Sequence, residues 1–260
     1  MQLKIIAQNV VKTYESNNGD VLAIDNFNLE VADGEFVCIV GPSGCGKSTF
    51  LRILAGLVPQ TSGTIEIKRS ENSQKPLNSM VFQEYAIYPW KNVRDNVAFG
   101  LQMRGIGKKE RFEVADDWLK RVGLSKFSDY YPHQLSGGMK QRVSIARALA
   151  NDPEVLLMDE PLGALDAQTR TVMQDEFLKL WEIDRKTVVY ITHSIDEAIL
   201  LGDRVIIMTA HPGTKKVEFT VDIPRPRTIE TMATPEFGHH KGMIWDALKD
   251  EVSRAYGEQV

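Results

Sequence analysis

A glycine-rich loop between a buried strand and a helix limits the possible folds of this chain more than any other feature of its sequence. Residues 35–40 read Glu-Phe-Val-Cys-Ile-Val, which is typical of a buried parallel strand, and residues 47–55 repeat apolar residues at helical spacing. Between them, Gly41, Gly44 and Gly46 lack the Cβ atom that would keep backbone N–H groups from turning towards an anion. The positive end of the following helix adds to this attraction. The sequence therefore predicts a strand, a phosphate-binding loop and a helix.

The loop also matches the nucleotide-binding pattern G-x-x-x-x-G-K-[ST] at every defined position. In that pattern the lysine, here Lys47, reaches the β- and γ-phosphates, and the hydroxyl that follows, here Ser48, ligates Mg²⁺. A glycine turn with a chance lysine is the plainer alternative, which the agreement of strand, loop and helix disfavours. We predict that the nucleotide is bound by the phosphate loop, which consists of Gly41, Pro42, Ser43, Gly44, Cys45, Gly46, Lys47, Ser48 and Thr49.

A second apolar strand ends in two acids. Residues 155–158 read Val-Leu-Leu-Met and are followed by Asp159 and Glu160. This places both carboxylates at the carboxyl edge of a parallel sheet, where ligands bind in doubly wound folds. Because successive strand residues point in opposite directions, we expect Asp159 to face Mg²⁺, directly or through water, and Glu160 to act as the general base on an attacking water. A solvated turn before Pro161 is the alternative.

Strand and helix patterns along the chain predict an α/β fold. Strand-like stretches surround the phosphate loop, apolar residues then follow helical spacing, and strands and helices alternate again towards the C-terminus. We therefore predict a P-loop NTPase core with a mixed or parallel sheet, an antiparallel β region and an inserted helical subdomain. The expected boundaries are residues 1–91 and 152–227 for the nucleotide-binding core, 92–151 for the helical subdomain and 228–260 for a C-terminal extension.

The composition excludes several classes of protein. A chain of 260 residues with 43% hydrophobic residues can bury a substantial core. The net charge of −4 and the pI near 5.8 provide no broad basic surface, so we expect no nucleic acid as the main partner. No apolar stretch approaches the roughly 18 residues of a membrane span, and no signal-peptide core is visible. Since a disulfide between Cys38 and Cys45 would distort the phosphate loop, we expect a reducing, cytoplasmic compartment.

A third motif brings a family resemblance. Residues 135–142 read Leu-Ser-Gly-Gly-Met-Lys-Gln-Arg, in which Ser136, Gly137 and Gly138 open a predicted helix with exposed N–H groups, a hydroxyl and a dipole directed at anions. Together with the phosphate loop and the acidic strand end, this motif resembles the nucleotide-binding subunits of ATP-binding cassette (ABC) transporters. The resemblance covers nearly all of residues 1–220, and the motif corresponds to the signature of that family.

The resemblance implies an ATPase that binds ATP and Mg²⁺ and converts ATP and water to ADP and phosphate. Two subunits would meet head to tail, with a homodimer favoured and a heterodimer left open, and would hold two ATP molecules between them. Each ATP would contact the phosphate loop of one subunit and the signature residues Ser136, Gly137 and Gly138 of the other. An ordinary capped helix is the alternative interpretation of the signature.

Four further residues receive roles from the same resemblance. Gln83 would sense Mg²⁺ and the attacking water, and His193 would hydrogen-bond the γ-phosphate. Asp166 would couple the two sites across the dimer, although the family more often has Ser where this chain has Gly163. Tyr14 would stack on the adenine. A capping or core role for His193 and a core role for Tyr14 are the alternatives.

The segment Glu84–Trp90 carries three aromatic residues and a proline directly after Gln83. It packs between lobes in one interpretation; in the other, which the resemblance favours, it forms a groove for a short helix of a separate transmembrane permease. Together with Ile-Pro-Arg-Pro-Arg at residues 223–227, the motifs are most similar to importers of nitrate, sulfonate, taurine and similar small anions. This implies a peripheral subunit on the cytoplasmic face of the membrane, which works indirectly with a periplasmic or extracellular substrate-binding protein.

Two other functional classes share part of these motifs. A non-transport ABC ATPase acting in nucleic-acid repair or translation would be expected to carry long coiled-coil insertions or two tandem cassettes, whereas this chain has one compact cassette. A subunit that binds ATP without turnover would be expected to lack Glu160 or His193, and both are present. The sequence therefore favours the ATPase of an importer.

Overall fold

The computed structural model describes residues 2–16, 19–163 and 165–257. Residues 258–260 of the predicted C-terminal extension, Met1 of the predicted core and Ala164, which precedes Leu165 and Asp166, lie outside the described residues. The chain divides into two compact units. We call Met1–Arg69 with Trp181–Val260 the loop unit and Ser70–Leu180 the signature unit.

Strands and helices alternate in most of the chain. In the described residues the strands are β1 (Leu3–Tyr14), β2 (Val21–Ala32), β3 (Phe36–Val40), β4 (Ser62–Ile67), β5 (Asn78–Val81), β6 (Val155–Asp159), β7 (Thr187–Thr192), β8 (Arg204–Met208) and β9 (Lys215–Thr220). The helices are α1 (Lys47–Leu54), α2 (Val93–Val97), α3 (Phe99–Met103), α4 (Lys108–Arg121), α5 (Gly137–Ala150), α6 (Ala167–Asp184), α7 (Ile195–Leu201) and α8 (Pro235–Gly257). Both parallel and antiparallel pairs occur, which confirms the predicted mixed α/β fold.

The loop unit contains two groups of strands. An antiparallel sheet has the order β2-β1-β4. In the second group β3 pairs in parallel with both β7 and β8, and β9 adds antiparallel to β8. Every residue of β3 is fully buried, as expected for a strand covered on both faces, and its run of apolar residues excludes solvent from each side. β3 therefore gives the phosphate loop a rigid starting point.

The signature unit combines a short parallel pair with helices. β5 and β6 are parallel, with Val81 opposite Met158. The helices bury the apolar faces that the helical spacing predicts, and their core includes Val93, Val97, Ala115, Leu119, Val143 and Ala146. This helical core supports α5, which carries the signature residues at its start. The predicted subdomain boundaries stay a prediction.

Among the residues that the structure describes, no helix combines the length and the apolar character that a bilayer span requires.

Candidate nucleotide-binding site

The phosphate loop lies between β3 and α1, and its glycines are fixed by their surroundings. Gly44 and Gly46 have φ values of +79° and +104°, in the left-handed region that other residues rarely adopt. A Cβ on Gly46 would lie 2.7 Å from the carbonyl oxygen of Ala23, and one on Gly41 would lie 2.8 Å from that of Met208. The loop therefore requires glycine both for its backbone angles and for its close packing on neighbouring strands.

Lys47 is held within this loop. Its side chain is almost fully buried, and Nζ donates hydrogen bonds of 2.8 Å to the carbonyl oxygens of Gly41 and Pro42. An ammonium group has three protons to donate, and a charge-assisted bond to a phosphate is stronger than one to a neutral carbonyl. Lys47 is thus placed where a phosphate seated in the loop would attract it.

The two cysteines of this region are buried free thiols. Burial raises the pKa of the Cys45 thiol, although the nearby Lys47 opposes that effect. Burial also raises the pKa of Cys38 well above its ordinary value, with a further contribution from the negative charge of Glu197. Both residues therefore stay protonated at neutral pH, and Cys45 acts as a packing residue of the loop rather than as a nucleophile.

His193 lies beside the first part of the phosphate loop. It follows β7, and because Thr192 pairs with Val40 of β3, the carboxyl ends of the two strands bring His193 and Gly41 to the same edge. They share a cavity of about 380 Å³, which we call the loop cavity; it is lined by Gly41, Pro42, Ser43, His193, Leu248, Val252 and Ala255. His193 thus faces the same space as the loop, whereas its γ-phosphate contact remains a prediction.

A buried acid supports this histidine, and the sequence did not single it out. Glu197, which is 4% exposed, accepts a hydrogen bond of 2.6 Å from Thr192 Oγ1 and one of 3.3 Å from the hydroxyl of Tyr190. Ser194 begins α7 by accepting a hydrogen bond from the Glu197 N–H. The residues on both sides of His193 are therefore fixed. A Ser followed three residues later by Glu is the capping-box pattern that could have drawn attention to Glu197.

Tyr14 ends β1 with an exposed ring. Its side chain is 40% exposed, and the Lys12 ammonium lies 4.8 Å from the ring centroid. An exposed ring offers a face for stacking, and a neighbouring cation adds attraction for a phosphate-bearing ligand. Tyr14 is thus available for the predicted stacking on adenine, which stays a prediction.

Gln83 and Glu160 come together in the signature unit. Gln83 Nε2 lies 3.5 Å from Glu160 Oε2, at the outer limit of a hydrogen bond. The pairing of Val81 with Met158 explains this, because both residues follow the same edge of the β5–β6 pair. Glu160 has a φ of +42°, a strained value for a residue other than glycine. Such strain clusters at functional positions, which agrees with the predicted role of Glu160.

Asp159 is 2% exposed at the end of β6. The predicted Mg²⁺ donors are the hydroxyl of Ser48, the amide oxygen of Gln83 and the carboxylate of Asp159. All three are oxygen donors, which is the ligand chemistry that Mg²⁺ prefers. The residues present therefore fit the metal in chemical type.

The signature residues share a cavity with Asp166. Ser136 caps α5, with Oγ accepting a hydrogen bond of 3.3 Å from the Met139 N–H, which leaves its own O–H available to donate. Asp166 caps α6 by accepting from the Thr169 N–H at 3.0 Å, and this bond lowers the pKa of the Asp166 carboxyl. The signature cavity has a volume of about 570 Å³ and is lined by Gly123, Leu124, Phe127, Ser136, Gly137, Gly138, Met139, Arg142, Leu165, Asp166 and Thr169.

The segment Glu84–Trp90 contains packed and exposed residues side by side. The Tyr88 ring lies 4.5 Å from that of Phe99, whereas Trp90 is 71% exposed. Asn96, which is fully buried, holds the backbone of Tyr88 through hydrogen bonds to its N–H and C=O of 2.7 and 3.1 Å. Tyr88 therefore packs within the signature unit, whereas the groove for a permease helix stays a prediction. Asn96 is a structural clamp that the sequence did not reveal.

The candidate residues are divided between the units. The loop unit carries Tyr14, residues 41–49 and His193. The signature unit carries Gln83, Ser136, Gly137, Gly138, Asp159, Glu160 and Asp166. Within the units, the structure brings together the loop with His193, Gln83 with Glu160, and the signature with Asp166.

Comparisons with known proteins agree with these motifs. The chain is 49% identical, over 98% of its length and 95% of the relative's, to an uncharacterized ABC transporter ATP-binding protein of Methanocaldococcus jannaschii. It is 43% identical to the nitrate import ATP-binding protein NrtD of a Synechocystis strain, with 96% of each chain covered. It is also 43% identical to the taurine import ATP-binding protein TauB of Roseobacter denitrificans, with 94% of each covered.

Solved structures give the same result. A dimeric ATP-binding cassette in a post-hydrolysis state, bound to ADP and phosphate, matches with a TM-score of 0.75 and 35% identity, over 85% of this chain and 100% of its own. The family model for ABC transporters matches residues 24–163, more than half of the chain. The chain therefore belongs to the ABC transporter family, as one of its ATP-hydrolysing subunits.

Proposed function

We propose that this ATPase energises the uptake of a small anion through a separate membrane permease, and that it works as a head-to-tail dimer. One observation carries the proposal. The chain has a phosphate loop in the loop unit and, in the signature unit, a second cavity lined by the helix-opening residues Ser136, Gly137 and Gly138. Two phosphate-directed elements per chain suit two shared ATP sites per dimer, and a similar cassette is dimeric in two solved structures.

Within each site the residues divide the work of hydrolysis. The phosphate loop and Lys47 bind the phosphates, because their N–H groups and ammonium are preorganised for negative charge. Glu160 accepts the proton of the water that attacks the γ-phosphorus. Gln83, whose amide lies next to the Glu160 carboxylate, orients the same water. His193 stabilises the γ-phosphate oxygens. Bound Mg²⁺ would supply neutralising charge, with the oxygens of Ser48, Gln83 and Asp159 as donors.

The names of the relatives support a small anion as the transported solute. Nitrate and taurine importers appear among the chains that are 43% identical to this one over nearly their whole length. Nitrate is a small anion and taurine carries a sulfonate, so a small solute with an oxyanion group is the class that both share. The permease and a periplasmic or extracellular binding protein would make the final choice among such solutes.

The exposed part of Glu84–Trp90 supports the contact with the permease. Trp90 is 71% exposed next to the packed Tyr88, whose ring lies 5.5 Å away. An exposed aromatic on a fixed backbone is a typical anchor of a protein interface. Binding there would hold the subunit on the cytoplasmic face of the membrane, as a peripheral protein.

Reconstitution tests the proposal directly. We expect the chain to copurify with a multi-helix permease, and the complex in proteoliposomes to hydrolyse ATP faster when nitrate or taurine and its binding protein are supplied. Trp90→Ala should weaken copurification, whereas Trp245→Ala, at another exposed tryptophan, should leave it unchanged. Copurification with nucleic acid or ribosomes instead would support a non-transport ABC ATPase and contradict the proposal. A complex that binds ATP without turnover would contradict the proposed hydrolysis.

A further inference from the structure

The C-terminal helix α8 reaches the phosphate loop. Three of its residues, Leu248, Val252 and Ala255, follow one another at helical spacing and lie on one face. All three line the loop cavity, together with Gly41, Pro42, Ser43 and His193. The last described turns of this helix therefore form the apolar part of the wall around the first loop residues.

A buried acid fixes α8 in this position. Glu251 is 1% exposed, and its carboxylate accepts a hydrogen bond of 3.0 Å from the Ala210 N–H and forms an ion pair of 2.7 Å with Lys216. Lys216 also donates to the carbonyl oxygen of Ala247 at 2.9 Å, so it bonds to α8 at two successive turns. These contacts attach the helix to β9 and to the turn that precedes it.

The same turn packs against the phosphate loop. Ala210 and Gly213 belong to the connection between β8 and β9. A Cβ on Gly213 would lie 2.1 Å from the carbonyl oxygen of Cys45 in the loop, so only glycine allows this approach. Gly213 also exchanges backbone hydrogen bonds of 3.1 Å with residues of β2, accepting from Asp25 and donating to Ala23. Glu251 thus holds a turn on which the loop rests.

We propose that α8 is a wall of the nucleotide site and that Glu251 is a positioning residue for the phosphate loop. The inference rests on the proposed binding of ATP at this loop and assigns a role to the C-terminal extension. Because Leu248, Val252 and Ala255 bring no charge, they neither attract nor repel a phosphate. They do displace water, so a charge introduced on this wall acts on a bound phosphate with less screening than at the surface.

Opposite charges at Val252 test the wall. The full chain carrying Val252→Lys should bind ATP, and inorganic tripolyphosphate, about three- to tenfold more tightly than the wild type, and Val252→Asp should bind both more weakly by a similar factor. Titration calorimetry at about 0.15 M salt, where screening is effective beyond about 8 Å, measures both. Ser253→Lys and Ser253→Asp are the matched controls, because Ser253 is exposed on the next position of the same helix and should shift the affinity far less.

If Val252 served only in packing, both of its variants would bind ATP more weakly. Shifts of the ATP affinity in the same direction would therefore contradict the proposal that α8 is a wall of the nucleotide site. Failure of the wild type to bind ATP would overturn the proposed function instead.

Two variants test the positioning residue. Glu251→Gln keeps an acceptor for the Ala210 N–H and should retain ATP affinity within about twofold, whereas Glu251→Ala loses that acceptor and should bind about tenfold more weakly. Equal ATP affinities in Glu251→Ala and the wild type would overturn the positioning role.

Discussion

The phosphate loop and the signature cavity both carry donors suited to phosphate, but they differ in the net charge that they present to it. The loop contains an almost fully buried cation, Lys47, which is bonded only to neutral backbone carbonyls and a thiol in the described contacts. In the signature cavity the cation Arg142 lies 3.7 Å from the carboxylate of Glu176, and Asp166 adds a second carboxylate to the lining. The loop therefore supplies net positive charge. The signature supplies neutral N–H and O–H donors, which suit a phosphate that is already held by another chain.

Removing the general base should have the largest effect. We expect Glu160→Gln to lower kcat about 100- to 1,000-fold while ATP still binds, because the charge that accepts the proton is lost and the loop is intact. Phosphate release and ATP binding measured on the same sample check this. Glu113→Gln removes an exposed carboxylate of the same unit and should leave kcat unchanged; a normal kcat in Glu160→Gln would contradict its role.

A bulky cation in the signature should affect dimerisation without affecting ATP binding at the phosphate loop. Ser136→Arg fills the start of α5 and should abolish ATP-dependent dimerisation, while ATP binding by the monomer changes by less than about twofold, because the loop of the same chain is untouched. Analytical ultracentrifugation with and without ATP gives the dimer fraction. Gln102→Arg places the same side chain at an exposed site of the signature unit as the control. Unchanged dimerisation of Ser136→Arg would refute the shared site.

Two glycines test how firmly the loop is preformed. Gly46→Ala combines a left-handed φ with a contact of 2.7 Å to the Ala23 carbonyl oxygen, so it should lower the free energy of unfolding by about 2–3 kcal/mol. Gly44→Ala has a left-handed φ but open space around its Cβ, and should cost about 1 kcal/mol. Urea unfolding compares the two. Equal losses would show that the close approach of the loop to β2 has no energetic weight.

The smallest expected effect concerns the acid that holds α8. Burial alone would raise the pKa of Glu251, but hydrogen bonds from Lys216 and the Ala210 N–H, with the charges of Lys216 and Arg254, outweigh it and lower the pKa below the ordinary value of 4.5. The stabilisation is therefore fully present above about pH 4.5 and is lost as the pH falls through the lower folded-state pKa. Glu251→Gln should flatten this acid dependence in thermal unfolding measured from pH 3 to pH 7. An identical pH profile would contradict it.

The sequence predicted the parts of the fold and site in which local pattern and chemistry coincide. The apolar β3, the glycines of the loop and the helix-opening Ser136 each combine a backbone requirement with a phosphate-directed group. The edge strand β9, Lys215–Thr220, was not predicted, because its lysines and alternating exposure resemble a polar loop. The full length of α8, Pro235–Gly257, was also missed, since Gly238 and Gly242 lower helix propensity and packing overrides them.

Three buried polar residues of the site region were not predicted, for different reasons. Glu197 and Asn96 bond to residues that are near them along the chain, and the capping-box pattern could have drawn attention to Glu197. Glu251 bonds to a residue 41 positions away, and nothing in its neighbourhood along the chain marks it. The proximity of α8 to the phosphate loop follows from such long-range contacts.

The position of β3 has a consequence for the synthesis of the protein. β3 ends at Val40, yet its two partners β7 and β8 begin at Thr187 and Arg204, so almost 150 residues separate the strand from its first neighbour. On the ribosome, this apolar strand emerges long before its two partner strands are synthesised. We expect the nascent chain to expose this apolar segment for many seconds at ordinary elongation rates. Chaperones that bind exposed apolar segments are therefore expected to bind the nascent chain at this stage.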